Sequence, residues 1–257
     1  MAAPLTPEPG LQAVARTALA CLDLTSLNDA DAPADIERLC RRAQGPFGAV
    51  AAVCVWPRLA GLARSLLPPH IAVAAVANFP AGGSDLQRAL RDSGEIVAAG
   101  AQEVDVVLPY RDLAAAPALL AAVRRACEGL TLKVILETGA LQDVALIHRA
   151  CRIALDAGAD FLKTSTGKTP VGATPAAARV LLQAIAADAS ASSRVGFKAA
   201  GGVRSVADAG LYAALVRDIL GPAALGPRRF RIGASALLDD IEAILAGRPG
   251  PTGGTSY

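Results

Sequence analysis

Short apolar runs rich in Ala, Val, Leu and Ile recur eight times along the chain, each followed by a polar or glycine-containing loop and then an amphipathic stretch. This alternation limits the available folds more than any other feature. The runs are ALACLD (18–23), GAVAAVCVW (48–56), IAVAAVANF (71–79), EVDVVLP (103–109), LKVILET (132–138), DFLKTS (160–165), VGFKAA (195–200) and RFRIGAS (229–235). Strands separated by helices pair in parallel through right-handed crossovers, and nearly continuous apolar strands belong to a sheet covered by helices. With eight strands, no GxGxxG after the first and 257 residues, a closed barrel fits better than an open doubly wound sheet, since roughly 250 residues is typical of one such barrel. The expectation is a single (β/α)8 TIM barrel domain over 1–257. An extra N-terminal helix at about residues 8–17 would cap the barrel bottom, and a flexible Pro/Gly-rich tail would span 247–257.

Helix starts are legible as well. Ser84 with Gln87 reads as a capping box before LQRALRDSGEIVAAG, Ser205 reads as the cap of VADAGLYAALVRDIL, and Pro57, Pro117 and Pro175 suit first turns. A composition of 53% hydrophobic and 19% charged residues points to a large core. No apolar stretch approaches the ~20 residues of a membrane span, and the N-terminus lacks a signal pattern; a cytoplasmic protein with no membrane partner is expected. The 25 basic and 23 acidic residues are scattered, without the basic stripe that nucleic-acid binding uses. Five widely spaced cysteines without a CxxC suit reduced thiols. His70 and His148, far apart, predict no histidine-based metal site.

Only four of the 25 basic residues are lysine, Lys133, Lys163, Lys168 and Lys198; the rest are arginine. A chain that uses Arg for generic surface charge keeps Lys where an amine that can lose its proton is needed, which guanidinium cannot supply. Lys133, Lys163 and Lys198 interrupt apolar strands, so in a barrel they point inward near the open top. Asp23, Asp105 and Glu137 are the expected counter-charges. Two neighbouring ammonium groups disfavour each other's protonation, and burial adds to this, so one amine becomes a neutral nucleophile fit to form a Schiff base. The same lysines read equally as ion pairs closing the barrel top. After the seventh strand come Gly201, Gly202, Val203 and Arg204. The eighth ends in Gly233 and Ser235 ahead of a helix. Paired loops at these two places often bind phosphate through backbone N–H groups. Gly167 and Lys168 would complete the ring, so that Lys163 reacts and Lys168 meets the phosphate.

Together the motifs LDLTSLND, VCVWPR, ANFPAG, EVDVVLPYR, KVILETG, ADFLKTSTGK, GFKAAGGVR and RFRIGAS resemble those of the deoxyribose-phosphate aldolases over nearly the whole chain. The resemblance implies a metal-free, cofactor-free class I aldolase that reversibly cleaves 2-deoxyribose 5-phosphate to glyceraldehyde 3-phosphate and acetaldehyde. Its partners would be phosphosugar and aldehyde substrates, and its state a homodimer or monomer. It implies Lys163 as Schiff-base former, Lys198 as the residue that lowers its pKa, Asp105 in proton transfer with a bound water, Asp23 orienting the charges, and Thr164 contacting substrate. Tyr257 would match a C-terminal tyrosine assisting proton exchange, and Cys54 a cysteine near the pocket that is not needed for the chemistry. Ala199 stands where the family often has Pro, and Ala236 where a Ser is common, which bears on phosphate affinity. Another Schiff-base phosphosugar aldolase or transaldolase, or a catalytically silent phosphosugar-binding barrel, are the alternative readings.

Overall fold

Every one of the eight apolar runs supplies one strand, and the strands close on themselves. The computed structural model describes residues 10–248. In it the strands are β1 (Leu22–Thr25), β2 (Ala52–Val55), β3 (Ala72–Ala77), β4 (Glu103–Val107), β5 (Thr131–Ile135), β6 (Phe161–Lys163), β7 (Gly196–Ala200) and β8 (Phe230–Ala234). Each pairs in parallel with the next, and β8 returns to β1, placing Leu22 opposite Ile232. Closure removes the unpaired edges that an open sheet must protect. β2 and β3 consist of Ala, Val and one Cys and are buried along almost their whole length, as expected of strands covered on both faces.

Outer helices follow the strands in turn: Pro33–Arg42, Pro57–Leu66, Leu86–Ala98, Ala116–Ala126, Val144–Asp156, Pro175–Ala187, Val206–Leu220 and Leu237–Leu245. Pro57, Pro117 and Pro175 all fall in first turns, where a missing N–H costs nothing. Ser205 caps its helix as expected, accepting from the Asp208 amide at 3.1 Å, while the Asp208 carboxylate accepts from the Ser205 amide at 3.0 Å. The cap expected at Ser84 falls one residue later. Asp85 is the N-cap and accepts from the Arg88 amide at 3.1 Å, so the helix begins at Leu86 and the Ser84/Gln87 box does not form.

Two boundaries and the placement of one helix also differ. Ala18–Ala20 belong to the leading helix, Leu11–Ala20, rather than to the first strand. Gly48–Ala49 pairs antiparallel with Gln44–Gly45 in a small ribbon ahead of β2. The leading helix does not lie across the barrel bottom: it packs beside Val206–Leu220 and Leu237–Leu245, and only its last residue, Ala20, lines the cavity at the lower mouth. The 249–257 part of the expected tail, with Tyr257, lies outside the described residues. Among those described, no helix is long and apolar enough to cross a membrane.

Candidate active site

Strand alternation decides which side chains meet. Residues two apart share a face, so Glu103 and Asp105 of β4 project together into the barrel. Register then aligns charged residues from strand to strand: Asp105 stands opposite Lys133, Lys163 opposite Lys198, and Lys198 opposite Arg231. Asp23 of β1 faces Gly233 across the closing seam. A Cβ at Gly233 would sit 3.0 Å from Cε of Lys198; the bare backbone there leaves the lysine stem its path.

The result is a dry cage of charges. Lys163 Nζ donates to Asp105 Oδ2 at 2.7 Å, and Lys198 Nζ donates to the same oxygen at 2.8 Å and to Asp23 Oδ2 at 2.5 Å. Lys133 Nζ donates to Asp105 Oδ1 at 2.8 Å and Glu103 Oε2 at 2.5 Å, and lies 3.6 Å from Asp23. Below, the Arg231 guanidinium donates to Asp23 Oδ1 at 2.6 Å and Glu103 Oε1 at 2.8 Å. Asp23, Asp105, Lys133 and Lys198 are fully buried, and Lys163 is 3% exposed.

Four cations thus meet three carboxylates, and with every group ionised one positive charge is left over. Uncompensated charge in an interior is costly. If one amine is neutral the count closes, and that amine must be the worst paired, since Arg cannot give up its proton. Lys198 and Lys133 each contact more than one carboxylate, whereas Lys163 contacts Asp105 alone. Burial, with Lys198 adding to it against the pull of Asp105, holds the Lys163 amine below its ordinary value of 10.5. Although burial opposes protonation of Lys198 and Lys133 too, their carboxylate partners more than offset it and hold both above 10.5. Asp105 and Asp23 resist protonation because the surrounding cations overcome the desolvation that would raise them.

Above the cage, at the carboxyl ends of the strands, a cavity of about 320 Å³ opens. Of the three caged lysines only Lys163 lines it. Around it stand Gly167, Lys168, Gly201, Gly202, Val203, Arg204, Gly233 and Ser235, the residues singled out for phosphate, together with Ser26, Asn28 and Thr166. Lys168 Nζ donates to the Leu27 carbonyl at 2.6 Å, bridging the loops after β6 and β1 across the cavity.

Several site expectations need correction. Thr164 does not reach the cavity: its hydroxyl donates to the Ala200 carbonyl and accepts from the Ala200 amide, stapling β6 to β7 beside the two lysines. Cys54 does not line the cavity and so is no substrate contact; it is fully buried near Lys163, with burial raising its thiol pKa, as suits a filler that the chemistry does not need. Glu137 takes no part in balancing the amines. It sits in the left-handed region at φ 53° and accepts from the Thr166 and Thr169 hydroxyls, the latter at 3.1 Å, shaping the loop that carries Lys168. The carboxylate that does balance them, Glu103, and its partner Arg231 are the residues the sequence reading missed. The signal was present in EVDVV, where two acids two apart share one face of an apolar strand.

Residues 17–242 match the sequence profile of the DeoC/LacD family aldolases. The chain is 46% identical over 237 residues, 89% of its length, to the deoxyribose-phosphate aldolase of Agrobacterium fabrum, of which the match covers 90%. The chain belongs to the DeoC/LacD aldolase family. Solved structures agree with this membership. A crystal structure from Toxoplasma gondii ME49 superposes with a TM-score of 0.81 at 25% identity, covering 92% of this chain and 95% of that one. The tetrameric deoxyribose phosphate aldolase of Aeropyrum pernix superposes with a TM-score of 0.70 at 27% identity, covering 91% and 92%. As a DeoC/LacD aldolase, the protein is an enzyme that makes and breaks carbon–carbon bonds, and Lys163 is the group that meets both the cage and the cavity.

Proposed function

We propose that this aldolase reversibly cleaves 2-deoxyribose 5-phosphate to glyceraldehyde 3-phosphate and acetaldehyde through a Schiff base on Lys163. One observation carries the reading. Lys163 is the single caged lysine that opens on the cavity, and it is also the one held below its ordinary pKa. The relative from Agrobacterium fabrum supports the substrate assignment by its name. The glycine turn at Gly201 and Gly202, the Ser235 end of β8 and Lys168 suit the 5-phosphate. The five cysteines are all buried and unpaired, which suits work in a reducing cytoplasm and a place in the breakdown of deoxyribose phosphates.

In the cleavage direction the neutral Lys163 amine adds to the C1 aldehyde of the open-chain sugar, and loss of water leaves a protonated imine. That cation draws electrons from the C2–C3 bond. As the bond breaks, the C3 hydroxyl becomes an aldehyde and its proton passes, through a water, to the Asp105 carboxylate. Asp105 is a weak base because three amines surround it, and the same hydrogen bonds fix where its oxygens point. The departing glyceraldehyde 3-phosphate leaves an enamine, which takes a proton at carbon and is hydrolysed to acetaldehyde, returning Lys163 as an amine. The test is reduction with borohydride in the presence of acetaldehyde, followed by peptide mapping. A single ethyl group is expected on Lys163 and none in Lys163→Arg; labelling at Lys198 instead would overturn the assignment.

A further inference from the structure

The lower half of the cage touches neither the cavity nor any group that reacts, yet it holds an ion pair that is costly to bury. Glu103 precedes Asp105 by two residues on β4, and Arg231 stands opposite Lys198 with its guanidinium turned to Glu103 and Asp23. Glu103 bridges Arg231 to Lys133, and Arg231 bridges Glu103 to Asp23. Each therefore binds a partner of the reacting half: Lys133 shares Asp105 with Lys163, and Asp23 shares Lys198 with Asp105. If the pair served only to fill the barrel, apolar side chains of similar volume would do it at no loss of stability.

We propose that Glu103 and Arg231 are positioning residues that set the net charge of the cage, and thereby keep Lys163 in its uncharged, nucleophilic form. This rests on the Schiff-base reading of Lys163. Asp105, Lys198 and the thiol of Cys54 lie nearest Lys163, and the other ionisable groups of the cage act on it across them. β1 brings Asp23, β2 the thiol of Cys54, β3 no ionisable group, β4 Glu103 and Asp105, β5 Lys133, β7 Lys198 and β8 Arg231. Above them Lys168 and Arg204 line the cavity and Glu137 lies in the neighbouring loop. With Lys163 neutral, three cations face three carboxylates. Removing Glu103 leaves the cage one charge too positive, which opposes protonation of Lys163 further. Removing Arg231 leaves it one charge too negative, and Lys163 is the only uncharged base present to take up the compensating proton.

The consequence is a pair of opposite shifts from two side chains that never meet the substrate. In Glu103→Gln the acid limb of kcat/KM moves to lower pH; in Arg231→Met it moves to higher pH. Each displacement is on the order of one pH unit, as a unit charge about 10 Å away gives at an effective dielectric of about 20. The double variant Glu103→Gln/Arg231→Met restores the balance and returns the limb to the wild-type position. Because each single variant strands a buried charge, Lys133→Met is measured beside them. It removes a cation from the same cage and also moves the limb upward. Either single variant lacking a cation, Arg231→Met or Lys133→Met, read against Glu103→Gln alone, decides the matter. Limbs of the single variants that stay put, or that move in the same direction whatever the sign of the deleted charge, overturn the inference. Borohydride trapping with acetaldehyde on the wild-type enzyme keeps the two readings apart. Failure to label Lys163 sinks the Schiff base itself, whereas normal labelling with unresponsive pH limbs sinks only the role given to Glu103 and Arg231.

Discussion

At the scale of single residues, the chemistry depends on which of two facing lysines carries the proton. Lys163 and Lys198 donate to one oxygen of Asp105, so each protonated amine opposes protonation of the other, and the second carboxylate, Asp23, settles the contest in favour of Lys198. The reacting form is the amine, so activity rises as pH rises through the Lys163 pKa, which lies below 10.5. In Lys198→Leu the neighbouring cation is gone while Asp105 remains, and that pKa moves up. The acid limb of kcat/KM is expected to move to higher pH, with about a tenfold loss at neutral pH for every pH unit that the limb travels; an unmoved profile would refute the electrostatic role. Lys163 and Lys198 were legible in the sequence because lysine is rare in this chain and both interrupt apolar strands. The counter-charges were only half legible. Asp23 and Asp105 lie on the strands themselves, but Glu137, two residues past the end of β5, turns away in a left-handed conformation. No propensity marks that turn, so an acid in KVILET looked like a partner of the amines when it is buried against Thr166 and Thr169 in the loop instead.

At the scale of elements, the loops after β6 and β7 lean on each other without side chains between them. The Ala173 amide donates to the Gly201 carbonyl at 2.9 Å. A Cβ on Gly172 would come within 2.4 Å of that same oxygen, closer than any side chain tolerates. Gly172→Ala therefore pushes the Gly201–Gly202 turn, which lines the cavity, while leaving the cage untouched. A rise of about tenfold or more in KM for the phosphorylated sugar is expected, with acetaldehyde trapping at Lys163 preserved because acetaldehyde carries no phosphate. Equal loss of both would mean that the turn supports the cage rather than the phosphate. Helix ends behave more simply. Ser205→Ala removes an N-cap and is expected to cost about 1 kcal/mol, read as a melting temperature lower by roughly 2–4 °C, without moving the acid limb. The caps at Ser205 and the first-turn prolines were readable from local chemistry alone. Asp85 was not, because Ser84 and Asp85 are both good caps and the choice between them depends on where the long loop after β3 delivers the chain.

At the scale of the whole molecule, the barrel was legible because one pattern repeats eight times and only a closed parallel sheet uses all of it. What the pattern could not convey was how the interior is filled: a core of small apolar residues around a charged centre. That centre makes stability and function pull apart at one position. Lys163 is buried without the partners that would keep it charged. Between its folded pKa and 10.5 the unfolded chain binds a proton there that the native state does not. Native stability from this group therefore declines as pH falls from 10.5 to the folded value and is level below it. Lys198 and Lys133 have the opposite sign: their folded values are raised, so their contribution is fully present below 10.5 and is lost only as pH climbs through those values. Lys163→Met keeps three cations against three carboxylates and escapes the protonation penalty. It is expected to melt no lower than the wild type, with an advantage that grows as pH is lowered from 10.5 to the Lys163 pKa and then stays constant. Lys198→Met removes a partner that both Asp23 and Asp105 need, which costs about 3–5 kcal/mol for a broken buried pair, or roughly 6–20 °C at 2–4 °C per kcal/mol. Calorimetry of the two variants across pH separates these outcomes. If the two substitutions proved equally damaging, Lys163 would have to be carrying a charge in the resting enzyme, and an amine already protonated could not open the reaction.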